Sequence, residues 1–160
     1  MSRARQHGYD VTVRWTGAAS GGTTAYKTYA RDTEATAAGK TAALPGSADP
    51  AFLGDAARWN PEELLVAALS QCHMLSYLAL CSLRKVVVTS YEDAASGTMD
   101  ETGGAGAFTE VVLRPVVTVA EAHMAETATR LHGPASESCF IAASVNFPVR
   151  HEPEIRVAGR

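Results

Sequence analysis

The feature that most constrains this chain is an uncharged run from Leu64 to Cys81, 18 residues long. It follows an Asn60-Pro61-Glu62-Glu63 segment, in which Asn60 can cap a helix and Pro61 suits the first helical position. Glu63 can bond back to the backbone of the capping residue. The pattern predicts one long helix from about Pro61 to Arg84.

A helix this apolar either spans a bilayer or lies in a protein core. Ser70, Gln71 and His73 stand near its middle, where polar groups are costly in a membrane, and two glutamates adjoin its start. We therefore expect a buried core helix. The N-terminal residues lack the apolar region of a secretory signal, which favours the cytoplasm.

The remaining chain has an ordinary globular composition of 160 residues, 46% apolar and 19% charged. A net charge of −3 argues against a polybasic surface for nucleic acid or anionic membranes. We expect a single domain over 1–160, with an N-terminal β-hairpin region at 8–44 and a core at 60–158.

The predicted order is a group of strands, a helix, more strands, a second helix and final strands, which predicts the α+β class. Tyr9 to Trp15 alternates in polarity like a half-buried strand. Further strands are predicted at Thr23–Arg31, Gly39–Leu44, Val86–Tyr91, Phe108–Val119, Ala143–Val149 and Ile155–Val157. Pro115 predicts an edge strand or a bulge at that position. The Gly97–Gly106 region predicts a hairpin connection. A second helix is predicted from Ala120 to Leu131, with a break at Gly133-Pro134 and a short continuation through Ser138.

Three cysteines are too few, and odd in number, for a disulfide framework. At 100° per residue Cys72 falls on one stripe with Leu65, Leu69 and Leu75, which predicts a packed face, while Cys81 falls on the opposite side. Cys81 is interpreted as a core residue. Cys72 is either another core thiol or a reactive one.

The Asn60-to-Leu65 string, followed by Cys72-His73-Met74 in an apolar helix, resembles the OsmC/Ohr family of organic hydroperoxide reductases. A second similarity is Glu137-Ser138-Cys139-Phe140, at the position of the family's second cysteine, although Phe140 stands where relatives often have proline. The similarity extends from Tyr9 to Val149.

The resemblance implies an OsmC-like fold, with long central helices wrapped by antiparallel sheets in an intertwined homodimer. It implies that Cys72 attacks the peroxide and becomes a sulfenic acid, and that Cys139 resolves it as a disulfide. An external dithiol, commonly dihydrolipoyl in relatives, would reduce that disulfide, and no cofactor is expected. Glu62 would orient a nearby arginine.

Ionisation of Cys72 requires a nearby cation, and the sequence does not clearly show which residue supplies it. An ordinary thiol is only about 3% ionised at pH 7, and the thiolate is the nucleophile. Where some relatives place a basic residue, this chain has Ala51 and Leu53. Arg31 is the favoured candidate and Arg58 the alternative, although a solvated surface arginine is as good an interpretation of either.

Glu62 and Cys72 are ten residues apart, which is about 15 Å along one helix. We therefore expect Glu62 to serve the Cys72 of the other subunit, or to act through an intervening arginine. The site should lie at a dimer interface.

His73, the residue after Cys72, is interpreted as structural. On a helix His73 points about 100° away from Cys72, so it is interpreted as a hydrogen-bonded core or interface residue. Zinc is disfavoured by the spacing of the cysteines and histidines.

Two functions remain open. The first is a thiol peroxidase acting on organic hydroperoxides in oxidative-stress defence. The alternative is a non-peroxidatic OsmC-like protein that binds a small apolar ligand at the dimer interface and retains Cys72 as a structural or sensing thiol.

Overall fold

The computed structural model describes residues 5–19 and 21–159. These residues form nine strands and two α-helices, which confirms the α+β class. The strands are β1 (Thr12–Trp15), β2 (Thr33–Thr36), β3 (Leu44–Gly46), β4 (Val88–Asp93), β5 (Ser96–Thr102), β6 (Ala105–Leu113), β7 (Pro115–Val119), β8 (Val149–His151) and β9 (Glu154–Val157). The helices are α1 (Pro61–Leu83) and α2 (Ala125–Glu137), and short 3-10 turns lie at Pro50–Phe52, Ala122–Met124 and Ala142–Ser144.

The backbone divides into two compact units, one ending at Leu64 and one beginning at Leu65. The first contains an antiparallel sheet in the order β1-β2-β3. In it Trp15 pairs with Thr33, and Thr33 pairs with Gly46. The single domain over 1–160 stays a prediction.

The predicted strand at Thr23–Arg31 is wrong, because this segment forms turns and the partner of β1 lies at Thr33–Thr36. Side chains donate hydrogen bonds to the backbone carbonyls of this segment. The Arg31 guanidinium donates to the carbonyls of Tyr26 and Tyr29, and the Trp15 indole N–H donates to the carbonyl of Ala30 at 2.9 Å. Carbonyls used in this way are not available to a strand ladder.

The start of α1 is the one that the sequence predicted. Asn60 Oδ1 accepts from the Glu63 N–H at 2.7 Å, and Glu63 Oε2 accepts from the Asn60 N–H at 3.1 Å. This reciprocal pair satisfies two backbone donors that a helix start otherwise leaves free. The helix runs to Leu83, close to the predicted end at Arg84.

The second unit holds two mixed sheets, in the orders β4-β7-β9 and β5-β6-β8. β4 and β7 pair antiparallel and β7 and β9 parallel. The hairpin of β5 and β6 turns at Gly103-Gly104, so most of the predicted Gly97–Gly106 connection is strand instead.

The predicted Phe108–Val119 strand is two strands in different sheets. Pro115 is the first residue of β7, the central strand of its sheet, and not an edge or bulge residue. A proline is tolerated there because a strand's first residue need not donate to the ladder.

The second helix also differs from its prediction. α2 continues to Glu137 with Pro134 inside it. Proline deprives the helix of one hydrogen bond, but buried Leu131 and Ala135 pack on both sides of it, and tertiary packing outweighs local propensity. The predicted Ala143–Val149 strand is mostly wrong, because only Val149 belongs to β8.

Two apolar clusters form the core of the second unit. The larger includes Tyr77, Cys81, Val117, Val119 and Ala128, and the smaller consists of Leu69, Val111 and Leu113. α1 contributes to both clusters.

By length and apolarity α1 could cross a membrane, with a mean hydropathy of 1.6. Its four buried residues, Leu69, His73, Tyr77 and Cys81, are spaced one turn apart. Three of them are members of the two core clusters, as in the core helix of a soluble protein.

Candidate thiol site

The buried face of α1 coincides only in part with the predicted stripe, because Leu69 belongs to both. Leu69, His73, Tyr77 and Cys81 face the core, whereas Cys72 lies one residue off this face and is half-buried. Leu75, expected on the packed stripe, is 57% exposed. The prediction was wrong for Leu75 because α1 is apolar on almost every side, so periodicity did not distinguish its faces. The consequence is that Cys72 is accessible while Cys81 is a core thiol.

Cys139 is held in the turn that follows α2, where it is 2% exposed. Its N–H donates to the carbonyl of Ser136, and its carbonyl accepts from the N–H of Ala143. The Ala142 N–H donates to Cys139 Sγ at 3.4 Å. The backbone on both sides therefore fixes the position of this sulfur.

The fold brings the side chains of Cys72 and Cys139 next to each other. Both are free thiols. Burial raises the pKa of the Cys139 thiol, and the neighbouring Cys72 side chain raises it further. The Cys139 thiol is therefore held in its protonated form.

Glu62 lies in the first turn of α1, one of two glutamates near the helix N-terminus. Its Oε2 is buried and has no hydrogen-bond partner among the described residues. A buried carboxylate oxygen without a partner is costly, so this group is suited to receive a donor from outside the described chain. An arginine is the donor that the resemblance implies.

The two candidate arginines are already engaged within the first unit. The Arg31 guanidinium also stacks on the rings of Tyr29 and Tyr26, 4.1 and 4.7 Å from their centroids. Arg58 forms ion pairs with Asp32 and Asp55 at 3.5 and 3.7 Å. The assignment of a role to either arginine stays a prediction.

His73 is a buried, hydrogen-bonded core residue, as predicted. Its Nε2 is 3.0 Å from Nδ1 of His132 on α2, and both residues are 1% exposed. Burial lowers the pKa of His73 to about 4 and that of His132 to about 3. Each imidazole is therefore neutral at physiological pH.

A cluster of aromatic rings surrounds this pair. The His151 ring lies 5.5 Å from that of His73, and the Tyr77 ring is stacked 4.0 Å from that of His132. Sequence reasoning did not connect His132 and His151 with His73, because the three lie on separate elements far apart in sequence. Over residues 5–19 and 21–159, no set of three or more His, Cys, Asp and Glu side chains is arranged to hold a metal ion.

The family is decided by the sequence from residue 54, before α1, to the first residue of β9. A family model described as OsmC-like protein matches residues 54–154, which include α1, α2 and strands β4 to β8. The chain belongs to the OsmC family. No curated protein matches its sequence.

Solved structures show the same fold for this OsmC-family protein. An OsmC-like protein of unknown function from Vibrio cholerae is 31% identical with a TM-score of 0.83, over 93% of this chain and 100% of that one. An organic hydroperoxide resistance protein OsmC from Legionella pneumophila is 13% identical with a TM-score of 0.65, over 96% and 100% of the two chains. The organic hydroperoxide resistance protein OhrB of Bacillus subtilis is 19% identical with a TM-score of 0.59, over 94% and 98%.

Proposed function

We propose that this OsmC-family protein is a cytoplasmic, thiol-dependent peroxidase that reduces organic hydroperoxides in oxidative-stress defence. The observation that carries the proposal is the contact between the half-buried Cys72 and the buried Cys139. A reactive thiol must be reached by substrate, whereas a resolving thiol needs only to reach the first sulfur.

In the proposed reaction the bonds form and break at these two sulfurs, the peroxide and an external dithiol. The Cys72 thiolate attacks the outer peroxide oxygen, the O–O bond breaks, and the leaving alkoxide takes a proton to become an alcohol. Cys72 is then a sulfenic acid. The sulfur of Cys139 attacks it, water leaves, and a disulfide forms. An external dithiol reduces the disulfide and is itself oxidised, so no bound cofactor is required.

Arg31 and Glu62 complete the proposed site as the activating cation and the carboxylate that orients it. Arg31 would have to leave the carbonyls of Tyr26 and Tyr29, which hold its guanidinium. The two arginines can be compared directly: Arg31→Ala should slow peroxide reduction by reduced enzyme, whereas Arg58→Ala should not.

A homodimer is part of the proposal, because large apolar side chains are exposed within each unit. In the second unit Leu75, Leu83 and Phe140 are 57%, 79% and 76% exposed. In the first, Val13, Trp15 and Trp59 are at least 41% exposed. These exposed side chains would be removed from water in a dimer, and a second copy of the chain is the proposed partner.

The test is turnover of an alkyl hydroperoxide with a dithiol reductant. Wild type should consume peroxide, Cys72→Ser should fall to the rate of the buffer, and Cys81→Ser should remain active if folded. Equal, negligible rates for wild type and Cys72→Ser would contradict the enzyme proposal. That result would favour the alternative of a non-peroxidatic protein that binds a small apolar ligand at the dimer interface.

A further inference from the structure

The hydrogen bond between His73 and His132 joins α1, which carries Cys72, to α2, which ends two residues before Cys139. His73 is the residue after Cys72 on α1, and His132 lies two turns before Cys139, which follows the end of α2. The contact is 3.0 Å long and completely buried, so water does not compete for it. It is therefore placed to fix α2 against α1 close to Cys72.

Other contacts support the same pair of helices. Tyr77 Oη donates to the carbonyl of Ala128 at 3.1 Å, one turn further along α1. Between His132 and Cys139 the chain is stiff, because it is helical to Glu137 and the Ser138 N–H then donates to the carbonyl of Pro134. A displacement of α2 at His132 would therefore be passed on to Cys139.

Burying two hydrogen-bonded imidazoles in a core costs more free energy than burying two apolar side chains. An apolar pair of similar volume would avoid burying polar nitrogens, and His132 Nε2 is buried without a partner in the described part of the chain. The pair fixes the relative orientation of the two rings, because the N–H of one ring must point at the unprotonated nitrogen of the other. An apolar pair leaves the helices freer to slide.

We propose that His73 and His132 are positioning residues that set the approach of Cys139 to Cys72. Neither ring takes part in the chemistry. The pair keeps the two sulfurs within reach, so that closing the disulfide requires no movement of α2. This inference deepens the proposed function and rests on it for its biological meaning, but the geometry can be tested without any peroxide.

The test measures the equilibrium between the Cys72–Cys139 disulfide and the dithiol in glutathione redox buffers, by intact mass after acid quenching. In this exchange oxidised glutathione takes two electrons from the thiols and becomes two reduced glutathiones. The result gives the effective concentration of one thiol at the other. Small misplacements of reacting groups cost about tenfold to a hundredfold in such quantities.

Four variants separate positioning from stability. His73→Leu and His132→Leu remove the hydrogen bond. His73→Gln keeps a donor and an acceptor near the position of Nε2, and Val119→Ala destabilises the same core without touching the pair. We expect the effective concentration to fall about tenfold or more in both leucine variants and to stay near wild type in His73→Gln and Val119→Ala.

Two results would overturn the proposal: unchanged effective concentrations in the leucine variants, or an equal fall in Val119→Ala. If His73→Leu does not fold, His132→Leu and His73→Gln decide the comparison. Peroxide turnover, measured separately, tests the proposed function. A wild type that forms the disulfide readily but reduces no peroxide would contradict the function and leave the positioning result standing.

Discussion

The thiol of Cys139, in the turn that follows α2, lies next to the side chain of Cys72 on α1. Cys139 is 2% exposed, whereas Cys72 is half-buried. In the proposed mechanism this difference in access gives the reaction with peroxide to Cys72 and the formation of the disulfide to Cys139.

The first prediction follows from that division of tasks. In Cys139→Ser the sulfenic acid at Cys72 has no thiol to condense with, so one equivalent of organic hydroperoxide should leave a product 16 Da heavier. A dimedone-type reagent should trap this product. Wild type should instead lose two hydrogens and react little with the reagent. A Cys139→Ser protein that still forms an intramolecular disulfide would show that Cys81 is the resolving thiol.

Stability should depend on the buried imidazole pair as pH falls. The pKa of each histidine is about 6.5 in the unfolded chain, and burial lowers it to about 4 in folded His73 and about 3 in folded His132. Between the unfolded and folded pKa values the unfolded state binds more protons. The stabilisation is therefore complete above about pH 6.5 and is lost as pH falls to about 4 for His73 and about 3 for His132. Each extra proton adds a slope of about 1.4 kcal/mol per pH unit.

The groups facing the pair modify this effect without reversing it. Asp93 opposes the shift at His73, and His151 adds to the lowering at both rings. Denaturant unfolding from pH 7 to 5 should therefore show a steeper loss for wild type than for His73→Gln/His132→Asn. His123→Ala, at an exposed position, should keep the wild-type slope. Parallel slopes in wild type and the double variant would contradict the shifted values.

Gly97 should not accept a larger side chain. A Cβ at Gly97 would lie 2.6 Å from Phe108 Cε1 and 2.8 Å from Val66 Cγ2. Gly97→Ala should therefore destabilise the protein by about 1–3 kcal/mol through overpacking. Urea unfolding of Gly97→Ala against wild type checks this prediction, and an unchanged free energy of unfolding would contradict it.

The shared site of the proposed homodimer can be tested by mixing inactive subunits. If Glu62 serves the Cys72 of the other subunit, a heterodimer of Glu62→Gln and Cys72→Ser contains one site with both native groups. Co-expressed with two tags and purified on both, it should recover about half of the wild-type peroxide turnover, because one of two equivalent sites is restored. Both parent homodimers should be inactive. A heterodimer as inactive as its parents would contradict a site shared between subunits.

Local signals of the sequence determined the start of α1 and the fold class. Asn60 and Glu63 lie three residues apart and cap the helix with each other, so no distant residue is needed. Tertiary contacts overrode weaker local signals in two places. The side chains of Arg31 and Trp15 bind backbone carbonyls of the segment predicted as a strand. Packing around Pro134 keeps α2 continuous.

The sequence by itself identified Cys72, Cys139 and the helix that carries the first of them. Only the tertiary structure decided which face of α1 is buried, because a helix apolar on nearly every side carries no periodic signal for orientation. It also decided that Cys139 and His132 meet residues on α1, since such contacts depend on the packing of two helices and not on any local pattern. The candidate thiols were thus identified from the residue types, and their proximity was seen only in the fold.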